Sequence, residues 1–362
     1  MTTSNIQARF GSGKAVPRVE DDSLLTGRGQ FADDVPAAGV LHMCFVRSPH
    51  AHARFASVDA AAALSMPGVL SVITGQDLVK AGVKPLPSSA DFKRADGSAT
   101  ATPPEHSLAV DVVRRVGEAV AAVVAETREQ ARDAAEAVIV DYAPLAAVVE
   151  AKDAVVAGAP LVWPAATGNI AAEIRHGDVA AVDAAFARAA HVVTLDLVNH
   201  RLHPCPMEPR ATLATLDAAT GRLTLRVSCQ TPTGLRDTLC DMLGLAPDAV
   251  RVVVGDIGGG FGMKTRLYAE DVAVAFCARK LGRPVKWCAE RLEEFLAGSH
   301  GRDLVSKASL ALDANGRVLA LRVASLANLG SHATPAGVAI QLMIGPWVST
   351  SVYDIQTIDI HI

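Results

Sequence analysis

The run Gly255-Asp-Ile-Gly-Gly-Gly-Phe-Gly262 places four glycines in five positions around one phenylalanine. Such a density of residues without a Cβ marks a sharp bend in which backbone N–H groups can approach a partner closely. The bend follows the β-branched stretch Val250 to Val254 and precedes the apolar, helix-like stretch Leu267 to Leu281, so it reads as a strand-to-helix loop. Free backbone donors beside a helix N-terminus suit a phosphate or an oxo-anion. A tight turn that binds nothing is the plainer alternative, for which this many glycines is excessive. Two common anion cradles fail on spacing. Lys264-Thr265 sit where a Walker phosphate loop would need them, but Met263 occupies the required glycine position, and no Gly-x-Gly-x-x-Gly fingerprint can be written through these residues.

The chain has 362 residues, enough for two domains at roughly 150 residues each. With 50% apolar and 20% charged residues it is globular in composition, and 34 basic against 38 acidic side chains leave a net charge of −4. That balance offers no electrostatic footprint for nucleic acid or an anionic membrane. No uninterrupted apolar run is longer than that from Ala119 to Ala125, which is far shorter than the roughly 20 residues of a membrane span. Met1 to Lys14 carries no apolar signal region, so a cytoplasmic protein is expected. The six cysteines, Cys44, Cys205, Cys229, Cys240, Cys277 and Cys288, form no Cys-x-x-Cys pair. They read as reduced thiols, and any iron–sulfur relay would lie on other chains.

Along the chain, Gly39 to Arg47 and Val116 to Ala125 read as strands, and Asp59 to Leu64 as a short helix. Thr127 and Gln130 are spaced as a capping box for a helix carrying Ala131, Ala134, Ala135 and Val138, followed by a strand Ala137 to Tyr142. Lys84 to His106, rich in Pro, Ser, Thr and Ala, is expected to be a long surface loop. Pro144 to Asn169 reads as an interdomain connection, with the boundary near residue 150. Beyond it, Asp178 caps a helix reaching Ala190, and strands are expected at His191 to Leu197, Arg210 to Leu216 and Leu223 to Cys229. Thr233 to Leu243 is a helix stopped by Gly244, and Leu304 to Leu312 with Val318 to Ala327 form a hairpin. The final alternating run, Ile358 to Ile362, reads as a strand whose neighbour would come from a continuation or a partner chain.

Several stretches together carry a resemblance. Gly-Gly-Gly-Phe-Gly262 with Lys264, Tyr268-Ala-Glu270 and Leu281-Gly-Arg-Pro-Val-Lys-Trp287 resembles the molybdenum hydroxylases: xanthine dehydrogenases, aldehyde oxidases and carbon monoxide dehydrogenase large subunits. Pro17-Arg-Val-Glu-Asp21, Leu25-Thr-Gly-Arg-Gly29 and Asp33-Asp34 are similar to the family's N-terminal arm. Val116-Gly-Glu118 through Asp141-Tyr142 resembles its α/β hammerhead domain, and Met207-Glu-Pro-Arg210 and His300-Gly-Arg-Asp303 resemble the carbon monoxide dehydrogenase branch. The resemblance implies an α+β fold: an arm over residues 1–22, a hammerhead domain over 23–147, and the first part of a mixed α/β molybdopterin-binding domain over 148–362.

By the same resemblance, Gly259, Gly260, Phe261 and Gly262 lie against a molybdenum–molybdopterin cofactor, with the cytosine dinucleotide form as one option. Gln230 is the glutamine whose amide bonds a molybdenum oxygen. The implied reaction is oxidation of an aldehyde, an N-heterocycle or carbon monoxide with water as oxygen source. Electrons would pass to iron–sulfur and FAD subunits, and a C-terminal half, without which the chain would be inactive, would close over the cofactor. Thr265 stands where purine-oxidising members carry a glutamate, which points away from a xanthine-type substrate. From the residues themselves, Glu208 reads as a buried structural or pocket carboxylate, His203, His300 and His332 as core or solvated histidines, and Arg302 as a surface salt-bridge former. The runner-up function is a non-catalytic scaffold subunit that binds cofactor or partners without turnover, and a weaker third is a phosphate-loop-like nucleotide module.

Overall fold

The computed structural model of the chain describes residues 15–88 and 92–362. The first fourteen residues of the expected arm, and residues 89–91 of the expected loop, lie outside the described residues. Among the described residues fifteen strands follow in order: β1 (Leu41–Arg47), β2 (Ala53–Asp59), β3 (Val69–Thr74), β4 (Val112–Val113), β5 (Ala119–Ala125), β6 (Ile139–Pro144), β7 (Arg175–Gly177), β8 (His191–Asn199), β9 (Ala211–Leu216), β10 (Leu223–Val227), β11 (Val250–Val253), β12 (Val285–Cys288), β13 (Leu304–Leu312), β14 (Val318–Ala327) and β15 (Ile358–His361). They form a seven-stranded sheet in the order β11-β10-β9-β12-β1-β5-β3, a five-stranded sheet β7-β15-β14-β13-β8 and a three-stranded sheet β4-β2-β6.

The seven-stranded sheet joins strands from both sides of residue 148. β1 runs parallel to β12, with Leu41 opposite Val285, so the early strands extend a sheet begun by later ones. One core follows the sheet, and it packs Leu41, Phe45 and Ile73 with Leu225, Leu239 and Val274. β5 lies between β1 and β3, which explains why all seven of its residues are buried and why its sequence is a continuous apolar run without alternation.

Local signals agree closely with the helices. Thr127 accepts from Gln130 N–H and Gln130 Oε1 accepts from Thr127 N–H, closing the capping box ahead of Arg128–Glu136. Asp178 Oδ1 accepts from Ala181 N–H at 3.0 Å to start Val179–Ala187. Gly244 and Gly282 end Pro232–Leu243 and Ala269–Leu281 in the left-handed region, at φ 64° and 63°.

Two expectations change, and a third holds with an unforeseen pairing. The strand–helix–strand unit around Thr127 is divided between sheets, because β6 pairs antiparallel with β2 while β5 stays in the large sheet. The Lys84 to His106 segment is not simply a surface loop. Leu86 bridges Glu105, and Glu105 is buried with its carboxylate on the Arg266 guanidinium at 2.7 Å, so an ion pair draws the segment inward. Finally, β15 needs no outside neighbour: it pairs in parallel with β14 and antiparallel with β7, and buried Asp359 accepts from Arg175 and Arg322. At the opposite edge of that sheet, β8 is exposed along all nine residues.

The Glu105 cluster has a pH consequence. His332 Nδ1 lies 3.0 Å from Arg115 Nη1, and burial, with Arg115, Arg266 and Arg114 reinforcing it against Glu105, pushes the imidazole down to about 3 from 6.5. The unfolded chain therefore takes up this proton first, so the contribution is complete above pH 6.5 and is lost as pH falls toward 3. Burial alone would raise Glu105, but Arg266, His332 and Arg115 outweigh it and hold its carboxyl at about 2, which adds the same sign below pH 4.5. Asp271, raised to about 6 by burial, acts in the opposite sense. Lowering the pH from 6.5 to 5 should thus cost about 2 kcal/mol through His332. Because Asp271 offsets part of that loss in the intact protein, the measure is the difference: urea unfolding at the two pH values should show His332→Gln losing about 2 kcal/mol less than the unsubstituted protein over this interval.

Candidate functional site

Because β10 and β11 are parallel neighbours, with Leu223 opposite Val250, their C-terminal ends deliver Ser228 to Gln230 and the glycine run to the same edge of the large sheet. This is where open α/β sheets present their loops to ligands. The strand β10 ends in buried Ser228 and Cys229, and Gln230 emerges exposed. Its backbone N–H donates to Lys264 O at 2.8 Å, and its side-chain Oε1 accepts from Gly262 N–H at 3.0 Å. That second bond sets the carboxamide's orientation, since a backbone N–H requires an acceptor, and it leaves the Nε2 donor on the other side. Among the described residues Nε2 has no partner.

The glycines are required by contact as well as by backbone angle. A Cβ at Gly260 would fall 2.5 Å from Gln230 Oε1, and one at Gly258 would fall 2.4 Å from Glu208 Cβ. Gly262 holds φ +86°, which side chains rarely adopt. Phe261 takes φ 51° and leaves its ring 72% exposed, an unfavourable state for both backbone and side chain. Gly258 N–H is spent on Glu208 Oε2 and Gly262 N–H on Gln230. Among the described residues the N–H groups of Gly259, Gly260 and Phe261 donate to nothing.

Beneath the loop, Lys264 is 1% exposed. Its ammonium donates to Glu208 O at 2.8 Å, Glu208 Oε2 at 3.0 Å and Ser228 Oγ at 2.7 Å, which uses all three of its protons. Burial lowers its pKa, opposed by the Glu208 carboxylate. The phosphate-loop alternative therefore fails: the lysine that such a loop would aim at a phosphate is turned inward. Glu208, expected as a buried structural or pocket carboxylate, is the acceptor that Lys264, Ser228 and Gly258 share.

A second polar network went unread in the sequence. Arg210 Nε donates to Glu294 at 2.8 Å and its Nη1 to Glu270 at 3.0 Å, while Arg47 Nη2 reaches Glu270 at 2.8 Å and Glu293 at 2.6 Å. The Arg210 guanidinium also stacks 3.8 Å from the centre of the Tyr268 ring. Burial alone would raise Glu270, but Arg210 and Arg47 hold its carboxyl at about 2. The available signal was charge inside apolar surroundings, with Arg210 opening the run Ala-Thr-Leu-Ala214 and Glu270 opening an alanine- and valine-rich helix.

The other candidates separate. His203 meets His300 edge to face with ring centres 5.2 Å apart and lies tilted against Phe295 at 4.8 Å, whereas His332 belongs to the Glu105 cluster. Arg302 makes no ion pair among the described residues; Asp303 beside it accepts from Arg201 at 2.8 Å instead. All six cysteines are free. Among the described residues no group of three or more His, Cys, Asp or Glu is placed to hold a metal ion, and no helix is long and apolar enough to cross a membrane. A mainly apolar cleft of about 890 Å³ beside Trp163 and the β13–β14 face shares no lining residue with the glycine run, so it is separate from the free amides.

Sequence comparison matches residues 26–146 to the family "aldehyde oxidase and xanthine dehydrogenase, a/b hammerhead domain" and residues 162–362 to the family "molybdopterin cofactor-binding domain". The chain belongs to the molybdenum hydroxylase family. It is 38% identical over 353 residues to the nicotine 6-hydroxylase large subunit of Paenarthrobacter nicotinovorans, covering 95% of this chain and 41% of that one. It is 35% identical to the carbon monoxide dehydrogenase large chain of Hydrogenophaga pseudoflava, over 86% of this chain and 39% of that one. Quinoline 2-oxidoreductase from Pseudomonas putida 86 superimposes with a TM-score of 0.87 at 33% identity, over 96% of this chain and 44% of that one. The chain thus spans about two-fifths of the length of the curated relatives it matches, and the mixed α/β architecture is the family's.

The Arg210 network carries a stability prediction. Arg210→Met removes the cation from between two buried carboxylates, Glu270 and Glu294, and should destabilise the fold by about 3–5 kcal/mol, read as a lower denaturation midpoint.

Proposed function

We propose that this chain is the cofactor-holding part of a molybdenum hydroxylase that oxidises an N-heterocycle with water as oxygen source. The observation that carries the reading is the row of three unspent amides, Gly259 to Phe261, beside the free Nε2 of Gln230. Hydrogen-bond donors without fixed positive charge suit thiolate and oxo ligands, whose negative charge grows when the metal is reduced. When bound, the molybdenum–molybdopterin group supplies the two-electron oxidation and the oxygen transfer.

The chain's own part is positioning. Gly259, Gly260 and Phe261 hold the group through their N–H donors, and Gly262 serves by anchoring Gln230 Oε1. Gln230 Nε2 orients an oxygen of the group by a single neutral hydrogen bond. Exposed Phe261 offers an apolar ring beside Gly259. The choice of an N-heterocycle over an aldehyde or carbon monoxide is supported by the names of two relatives, nicotine 6-hydroxylase and quinoline 2-oxidoreductase. Relatives named as a large subunit, a large chain and a complex subunit support iron–sulfur and FAD partners that take the electrons. A cytosine dinucleotide form of the cofactor completes the proposal, and release of CMP on acid hydrolysis would report it.

The polypeptide carrying this sequence, purified with its bound subunits, should contain stoichiometric molybdenum and reduce a dye with pyridine- or quinoline-type substrates. Absence of molybdenum by elemental analysis would overturn the reading. Gln230→Ala should lower kcat about 10- to 100-fold with metal content nearly unchanged, and unchanged kinetics would remove the role given to this residue. Gly260→Ala should displace Gln230 and lower turnover to a similar degree.

A further inference from the structure

We propose that Lys264 is a positioning residue whose ammonium, through Glu208 and Ser228, holds the entry of the glycine run while its main-chain carbonyl, through Gln230, holds the exit, so that Gly259, Gly260 and Phe261 keep their amides free. The inference rests on the reading that this run holds the cofactor, and it assigns to a buried lysine a task that no contact with the cofactor would supply.

The geometry gives each end of the run a separate tie to Lys264. At the entry, Gly258 is held twice by Glu208, whose carboxylate accepts Gly258 N–H at 2.9 Å and whose own N–H donates to Gly258 O at 3.1 Å. Glu208 in turn receives the Lys264 ammonium on both its carboxylate and its carbonyl. At the exit, the Lys264 carbonyl accepts from Gln230 N–H, and Gln230 Oε1 accepts from Gly262 N–H. Ser228 Oγ accepts from Lys264 and donates to Glu208 at 2.6 Å, fixing the knot to the end of β10. Between the two ties lie the three amides with nothing to bind and a phenylalanine in a left-handed backbone state. Free donors on a glycine-rich run would ordinarily relax by turning toward water or toward local carbonyls. Pinning Gly258 and Gly262 removes that freedom. With its three protons spent, the ammonium has none left for a ligand, so its influence passes through the loop.

The test uses the full polypeptide with its bound subunits and the neutral pair Lys264→Met/Glu208→Gln. This pair removes both buried charges and keeps an acceptor for Gly258. Hydrogen exchange of the bonded Gly258 amide should accelerate at least about tenfold while that of buried β5 is unchanged. In the loaded enzyme kcat should fall about tenfold, and adding Gln230→Ala should give no greater loss than Gln230→Ala alone, because both act through one element. Unchanged exchange at Gly258 overturns the proposal, as does equal acceleration in β5, and so do turnover losses that multiply. A preparation without molybdenum would defeat the functional reading by itself, and the exchange result would still decide the clamp.

Discussion

A lysine ammonium taken out of water must find an acceptor for each of its protons, and meeting that demand organises this end of the molecule. Lys264 takes its acceptors from the residue before a proline (Glu208) and from the end of β10 (Ser228). Three segments distant in sequence are thereby held at one point, with the glycine run spread above them. The hydrogen bonds that remain to the run are the ones the knot does not use. A buried ion pair of this kind adds little net stability, because desolvation offsets most of its attraction. Its value lies in the geometry it enforces.

The large sheet sets the stage for this arrangement. Parallel pairing of β10 with β11 brings Gln230 and the glycine run to one edge, and the strands β1, β5 and β3 widen the same sheet. Arg47 on β1 reaches Glu270 at the start of the helix that follows the run, and Arg210 before β9 reaches the same carboxylate. The helix that receives the chain after the glycine run is thus tied by charge to both halves of the sheet, so the floor of the site belongs to neither half alone.

Much of this was legible in the sequence where the signal is local. The Thr127–Gln130 box, the Gly244 stop, and the hairpin of Leu304 to Leu312 with Val318 to Ala327 depend on residues within a few positions of one another. The glycine run and Gln230 were legible as candidates through family resemblance, and their adjacency follows from the parallel pairing of β10 and β11. What stayed hidden was pairing at long range. Periodicity could not reveal that β6 leaves the sheet of β5, that Glu105 is drawn inward by Arg266 across 161 positions, or that β15 is flanked by β14 and β7. Nor could spacing show which way Lys264 faces: beside Thr265 it stands where a phosphate loop would place its lysine, with Met263 arguing against that loop, and only the three-dimensional position of Glu208 turns it inward.

On the function proposed above, the unspent donors of Gly259 to Phe261 and of Gln230 face the metal cofactor. A crystal structure of the molybdenum-loaded protein tests it most directly. The account predicts oxygen or sulfur ligands of the metal centre within hydrogen-bonding distance, about 3 Å for oxygen, of Gln230 Nε2 and of at least one amide from 259–261. A metal centre held elsewhere, with those amides turned to protein carbonyls, would contradict it.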